Sequence, residues 1–244
     1  MKTPILLAKT ILLVALLVSH ASALSVPERL VYDVNWSGIK AGSAVQEVTA
    51  QGDELHIVNT MRSSGLMASF FQVDDKTESV ISSEETGRGR PKFFRENINQ
   101  GKHKALREAV FNFTALKADG RDLLKKTNKS TPISARTYDS LSSIYSIRSR
   151  ELEPGQSIFF DVYSFKRILN AEVRVVKREE ISTELGKFKT LMVTSQLKFN
   201  GVPVRVGDTT FWFTDDSRRI PVKITTKLKV GDVTLTLVGG SYRP

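Results

Sequence analysis

The sequence predicts an all-β protein with one or two short helices. The expected form is a single curved or closed antiparallel β-barrel-like domain of about 10–13 strands. Three observations predict it. Apolar and polar residues alternate with period two in many short runs, the pattern of a sheet with one buried and one wet face. Glycine, asparagine and aspartate punctuate these runs at short intervals. That many strands in one open sheet would expose long edges, which closure or strong curling removes.

The first element is not part of that domain. Lys2 and Lys9 precede or flank an unbroken apolar run, Ile11 to Val18, and Ala21-Ser22-Ala23 follows. This predicts a secretory signal over residues 1–23, cleaved after Ala23, and a single β-rich domain over 24–244. A transmembrane helix needs about 20 apolar residues, so no transmembrane anchor is expected. The chain has no cysteine, hence neither lipid attachment through a thiol nor a disulfide. Exported chains of this composition suit a bacterial periplasm, and a soluble periplasmic protein of a Gram-negative cell is expected.

"RLVYDVNW" opens the domain with Leu30, Tyr32, Val34 and Trp36 on one side. "ELHIVNTM" alternates Leu55, Ile57, Asn59 and Met61, "AVFNFTA" places Ala109, Phe111 and Phe113 together, and "NAEVRVVKRE" sets Ala171, Val173 and Val175 opposite Glu172 and Arg174. Asn200-Gly201 suits a type I′ reversal and Gly231-Asp232 a type II′ one, with further turns at Gly52-Asp53, Gly101 and Leu185-Gly186. Two segments break the alternation. "SGLMASFF", Ser64 to Phe71, reads as a short helix or an irregular apolar loop. In "YDSLSSIYSIRSREL", Asp139 is a candidate N-cap, and Leu141, Ile144, Tyr145 and Arg148 share one face of a helix that Pro154-Gly155 stops.

Catalytic chemistry finds little support. Zinc needs three or four close ligands and a catalytic triad needs an oriented histidine, yet after signal cleavage only His56 and His103 remain, neither with a partner at ligand spacing. No phosphate loop or dinucleotide fingerprint occurs, and "GRGRP", Gly87 to Pro91, reads as a basic loop. No metal and no cofactor is expected. In "FWFTDDSRRIPVKI" Asp215 and Asp216 invite a carboxylate-hydrolase reading, but adjacent strand residues face opposite ways, and a hairpin reversal at Asp215–Arg218 explains more of the stretch. Pro221 then belongs at a sheet edge or bulge.

The charge is unevenly placed. Residues 88–129 carry twelve basic against four acidic side chains, while the rest of the mature chain is balanced. A basic surface suits an anionic partner such as lipid phosphate or an acidic polysaccharide, and no nucleic-acid motif accompanies it. Solvation of outer strand faces is the plainer account of the same residues. Arg148, if buried beside Tyr145, needs a carboxylate partner, and Asp215 or Asp216 is the candidate.

Four stretches, "LVYDVNWSGIKAG", "DSLSSIYSIRSRELEPGQ", "ELGKFKTLMV" and "FWFTDDSRRIPVKITTKLKVG", resemble in order and spacing the bacterial exported domain-of-unknown-function family numbered 3108. The resemblance implies an exported envelope protein and carries over no catalytic residue. The function expected from the whole reading is non-enzymatic binding of an amphipathic or anionic, lipid-like ligand within the sheet. Leu66, Met67, Phe70 and Phe71 would form an apolar lid, Arg88, Arg90 and Lys92 the basic contact, and Tyr145 with Arg148 an anchor. The alternatives are a polysaccharide-binding or structural envelope protein using Trp36 or Trp212, and a hydrolase using Asp215 or Asp216.

Overall fold

Antiparallel pairing between neighbours in sequence builds almost the whole molecule. The structure is a computed structural model, and it describes residues 26–83, 89–204 and 208–242. The expected signal segment and Arg88 lie outside the described residues.

In chain order the elements are β1 (Glu28–Trp36), β2 (Ile39–Gln51), β3 (Glu54–Ser63), α1 (Gly65–Phe70), β4 (Asp74–Ser82), β5 (Pro91–Gln100), β6 (His103–Asn112), β7 (Lys117–Asp122) and β8 (Thr127–Pro132). There follow β9 (Thr137–Tyr138), α2 (Ser140–Arg148), β10 (Ser157–Ser164), β11 (Arg167–Thr183), β12 (Gly186–Phe199), β13 (Val202–Pro203), β14 (Asp208–Thr214), β15 (Pro221–Leu228) and β16 (Gly231–Gly240). One sheet holds them in the order β8-β7-β6-β5-β4-β3-β2-β1-β16-β15-β14-β12-β11-β10-β9, with β13 attached to β12. The first strand is therefore central, hydrogen-bonded on one side to β2 and on the other to the last strand.

This corrects the expected barrel. The protein is all-β and overwhelmingly antiparallel, but the sheet is not closed into a barrel: its hydrogen-bonded path ends at β8 and at β9, with no ladder between them. It also has sixteen strands among the described residues, more than the expected number. The edge problem that argued for closure is met differently. β8, "TNKSTP", is short and polar and carries Lys129 and Pro132, and β9 is two residues long; short strands, lysine and proline all blunt an edge. The excess strands were hidden because β7 and β8 are too polar to show apolar alternation.

The core forms where inward residues of separate strands meet. Leu30, Tyr32 and Val34 of β1, spaced by two, are buried with Leu237 of β16 and Val222 of β15. Ala171, Val173 and Val175 of β11 pack with Leu191, Val193, Phe211 and Phe213. Phe94, Phe111 and Ala118 of one wing pack on Tyr163 of the other, so side chains rather than a backbone ladder join the wings. Side chains thus fill the space between the wings. The β11–β12 hairpin outruns its neighbours, and a bulge at Val175/Lys177 reverses which face its residues present. Beyond the bulge Ile181, Leu185 and Phe188 lie against the β1 cluster.

The turns show which local signals sufficed. Asn200 and Gly201 both take positive φ, 50° and 79°, as type I′ demands. The reversal expected at Gly231-Asp232 lies two residues earlier, at Lys229–Val230, and that expected at Leu185-Gly186 lies one earlier, at Glu184–Leu185; in each the glycine, at φ 119° or 111°, follows it. Pro221 sits at a bulge between Trp212 and Phe213, where no ladder donor is lost. Gly42, within the first family-like stretch, has no room for a side chain: a Cβ would strike the Arg62 carbonyl of β3.

Candidate functional site

Helix α2 starts at the expected cap but ends at Arg148, short of the expected stop at Pro154-Gly155, and with its cap residue it holds deeply buried charges. Asp139 Oδ1 accepts from the amides of Leu141 and Ser142 at 2.8 and 2.9 Å, and the Asp139 amide donates to Ser142 Oγ at 2.9 Å, a reciprocal cap. Ser79 Oγ of β4 donates to the other carboxylate oxygen at 2.7 Å. Burial pushes the Asp139 carboxyl above its ordinary pKa, against these hydrogen bonds. The helix turns Leu141, Tyr145 and Arg148 inward.

Arg148 is 1% exposed, and its carboxylate partner is Glu28, not Asp215 or Asp216. The pair is bidentate: Nη1 donates to Oε1 at 2.8 Å and Nη2 to Oε2 at 2.6 Å. Nε and Nη2 also reach the Arg218 carbonyl at 3.3 and 3.2 Å. Tyr145 Oη accepts from Gln46 Nε2 at 2.6 Å and donates to Glu28 Oε1 at 3.3 Å, while Tyr32 donates to the Pro221 carbonyl at 3.0 Å. Burial works against the Arg148 charge, but the hydrogen bonds to Glu28 and the neighbouring Tyr145 hold it protonated, its pKa raised. Burial raises the Tyr32 and Tyr145 hydroxyls as well. Sealed from solvent, this cluster pins α2 to the first and last strands and offers no surface to a ligand.

The other expected residues are not brought together. Register places α1 and the turns at 37–38, 101–102, 123–126, 165–166, 200–201 and 229–230 at one end of the sheet. Leu66, Phe70 and Phe71 are exposed there and Met67 is half-buried. Arg90 and Lys92 lie at the opposite end: Arg90 stacks over Phe113 at 5.4 Å and Lys92 pairs with Glu54 at 3.0 Å. The length of β4 and β5 separates this basic loop from the apolar segment.

The stretch at Asp215–Arg218 is a turn. Asp216 Oδ1 accepts from the Arg218 and Arg219 amides at 3.0 and 3.1 Å and from Thr214 Oγ1 at 2.8 Å, while Asp215 pairs with Arg178 at 3.0 Å. Each carboxylate thus has its own partner. Trp36 donates to the Val230 carbonyl at 3.0 Å and Trp212 to Glu179 at 2.9 Å, both half-buried and tied down rather than lining an open groove. Among the described residues no group of three histidines, cysteines or carboxylates stands close enough to hold a metal.

Two surface clefts stand out among the described residues. One, about 340 Å³, lies on the outer face of β11, β12, β14 and β15, with charges of both signs from Glu172, Arg174, Asp208 and Lys227. The other, about 190 Å³, lies at the seam between the wings, at the same end as α1. β6 supplies Arg107, β7 Gly120 and Arg121, the β7–β8 region Asp122, Lys125 and Lys129, and the β10–β11 turn Phe165 and Lys166. Arg107 is held by Glu96 at 2.7 Å and Asp122 at 3.3 Å and lies over the Phe165 ring at 5.8 Å. Lys129 Nζ crosses the seam to the Lys166 carbonyl at 2.8 Å. The Lys125 amide and Arg107 hold the Asp122 carboxyl below its usual range, so it stays charged and committed to them. Gly120 leaves space for the Tyr163 hydroxyl, which a Cβ would strike and which burial pushes up to about 12.

Four of these cations fall within the basic segment of residues 88–129, yet the sequence did not single them out. Hairpin parity is the signal that finds them: alternate turns of a meander share an end, which groups α1 with 101–102 and 123–126 and excludes 88–92. Phe165 and Lys166 come from a distant turn and carry no such signal.

No curated protein matches the chain. Among solved structures, a beta-barrel-like protein of domain of unknown function DUF1849 from Brucella abortus is similar at a TM-score of 0.63 and 14% identity, over 88% of this chain and 96% of that one. At that identity the likeness concerns the fold alone. A putative exported protein with a YmcC-like fold from Bacteroides fragilis overlaps 88% of this chain and 95% of its own at 10% identity, but its TM-score of 0.34 carries no argument. Among the described residues no helix is long and apolar enough to cross a membrane. Residues 31–238, which run from within β1 to within β16 and include α2, match the family described as Protein of unknown function (DUF3108), and the chain belongs to that family.

Proposed function

We propose that this is an exported envelope protein that binds the anionic head group of an amphipathic, lipid-like molecule without transforming it. The observation that supports the reading is the seam cleft. Arg107, Arg121, Lys125, Lys129 and Lys166 surround it, against one carboxylate, Asp122, already engaged. Lys125 and Lys166 make no salt bridge among the described residues. Phe165 gives one wall an apolar surface. The volume is below the roughly 300 Å³ at which drug-sized ligand sites begin, so the cleft suits a phosphate-bearing head group and leaves an acyl tail outside. Membership of 24–244 in one domain and export through the 1–23 signal are part of the same proposal.

Calorimetric titration tests it, using dihexanoyl phosphatidylglycerol below its micelle concentration, with dihexanoyl phosphatidylcholine as the neutral-head control. The anionic lipid should bind and the zwitterionic one should bind at least tenfold more weakly. Lys125→Glu/Lys166→Glu should lower the anionic affinity at least tenfold. Equal binding of both lipids, or an unaffected double variant, overturns the reading.

A further inference from the structure

Scattered exposed apolar residues are ordinary; here they are sorted to one end. Among the described residues, eight of the twelve exposed large hydrophobics sit at the end of the sheet that carries α1. They include Leu66 at 75%, Phe70 at 78%, Val202 at 66% and Val230 at 70% exposure, with Leu124 and Phe71 beside them. Each lies in or next to a reversal, where small polar residues suffice for the geometry. Helix α1 buries none of its residues, so packing within this chain does not account for its apolar composition. Phe71 rests against Gly101, which places the apolar tip beside the β5–β6 turn.

The same turns carry lysines. Lys102, Lys104, Lys126 and Lys229 are exposed at this end and make no salt bridge among the described residues. Asp33, Asp74 and Asp122 there are each paired with a cation, Lys40, Arg62 and Arg107. Asp208 and Asp232 make no such pair among the described residues, and the balance there stays positive.

We infer that this turn end docks on the surface of an anionic lipid bilayer, with the α1 tip and its apolar neighbours entering the interface and the lysines meeting the phosphates. Apolar side chains projecting among lysines satisfy both layers of such an interface. A second copy of the chain is a poorer occupant, because the unpaired lysines would face one another. The inference goes beyond the head-group reading and stands on different residues, although the seam cleft opens at the same end, where a lipid could present its head while its tail stays in the membrane.

Flotation of the mature chain with vesicles of phosphatidylethanolamine and phosphatidylglycerol, against vesicles of phosphatidylcholine alone, tests the inference. Binding should favour the anionic vesicles and weaken with salt. Lys102→Glu/Lys104→Glu should reduce partitioning roughly fivefold per lysine lost, or more, and Leu66→Ser/Phe70→Ser at least tenfold. Both variants replace exposed side chains, and an unchanged melting temperature verifies that they fold. Leu116→Ser, exposed at the opposite end, should bind as the parent does. No preference for anionic vesicles, an equal loss in Leu116→Ser, or concentration-dependent self-association that the Leu66→Ser/Phe70→Ser change abolishes, each overturns the inference. Loss of vesicle binding with the short-chain titration intact removes the docking surface alone; the reverse removes the cleft alone.

Discussion

Replacing Glu28 by glutamine tests what holds the first strand, the helix and the last strands together. The substitution keeps the shape but removes the charge facing Arg148, which is 1% exposed and bound through both terminal nitrogens at 2.8 and 2.6 Å. The amide of glutamine would present an N–H to one guanidinium N–H, leaving only the Arg218 carbonyl and one glutamine oxygen as acceptors. Breaking a buried pair by removing one partner costs about 3–5 kcal/mol, because the remaining charge stays desolvated. Against a typical domain stability of about 5–15 kcal/mol, that is a large fraction. With a urea m-value of about 2 kcal/mol/M, the unfolding midpoint should fall by about 1.5–2.5 M. Urea titration followed by far-UV circular dichroism measures it. Glu28→Leu/Arg148→Met, which leaves no buried charge, should lose much less than the single variant. A single variant within 1 kcal/mol of the parent, or a double variant worse than it, refutes the reasoning.

Two further outcomes follow from the same region. Asp139→Ala should cost roughly 2 kcal/mol, from the lost cap and the stranded Ser79 hydroxyl, measured as a shift in the urea midpoint; a change below 0.5 kcal/mol would count against the cap. Stability should fall above pH 10, because Tyr32 and Tyr145 have raised hydroxyl pKa values in the fold. A raised value means that the unfolded chain releases its proton first, so the contribution is complete below the unfolded value and lost as pH rises towards the folded one. Each tyrosine contributes a slope of up to about 1.4 kcal/mol per pH unit in that window. Urea midpoints at pH 9 and 11 give the slope, and Tyr145→Phe should reduce it; an identical slope in that variant would contradict the assignment.

The alternation of Leu30, Tyr32 and Val34, and of Ala171, Val173 and Val175, was legible because each residue's burial depends on its own position along a pleat. The cap at Asp139 was legible for a similar reason: donor and acceptor lie within three residues. The identity of Arg148's partner was not. Asp215 and Asp216 were the expected partners, whereas Glu28 stands 120 residues away and reaches Arg148 only because the first strand is central in the sheet. Closure was misjudged for a related reason, since the polar β7 and β8 gave no sign of an edge that lysine, proline and shortness already protect.

By itself the amino-acid order determined the β class, the cap and place of α2, the reversals at 200–201 and 215–218 and the resemblance to the family. All of these rest on neighbours a few residues apart, whose preferences act before any long-range contact forms. Tertiary structure alone decided that the sheet stays open, that Glu28 neutralises Arg148, and that lysines from β7–β8 face Phe165 and Lys166 across a seam. Those contacts join segments distant in the chain, and their energies depend on which strands meet, a choice made by the packing of the whole core rather than by any local run of residues.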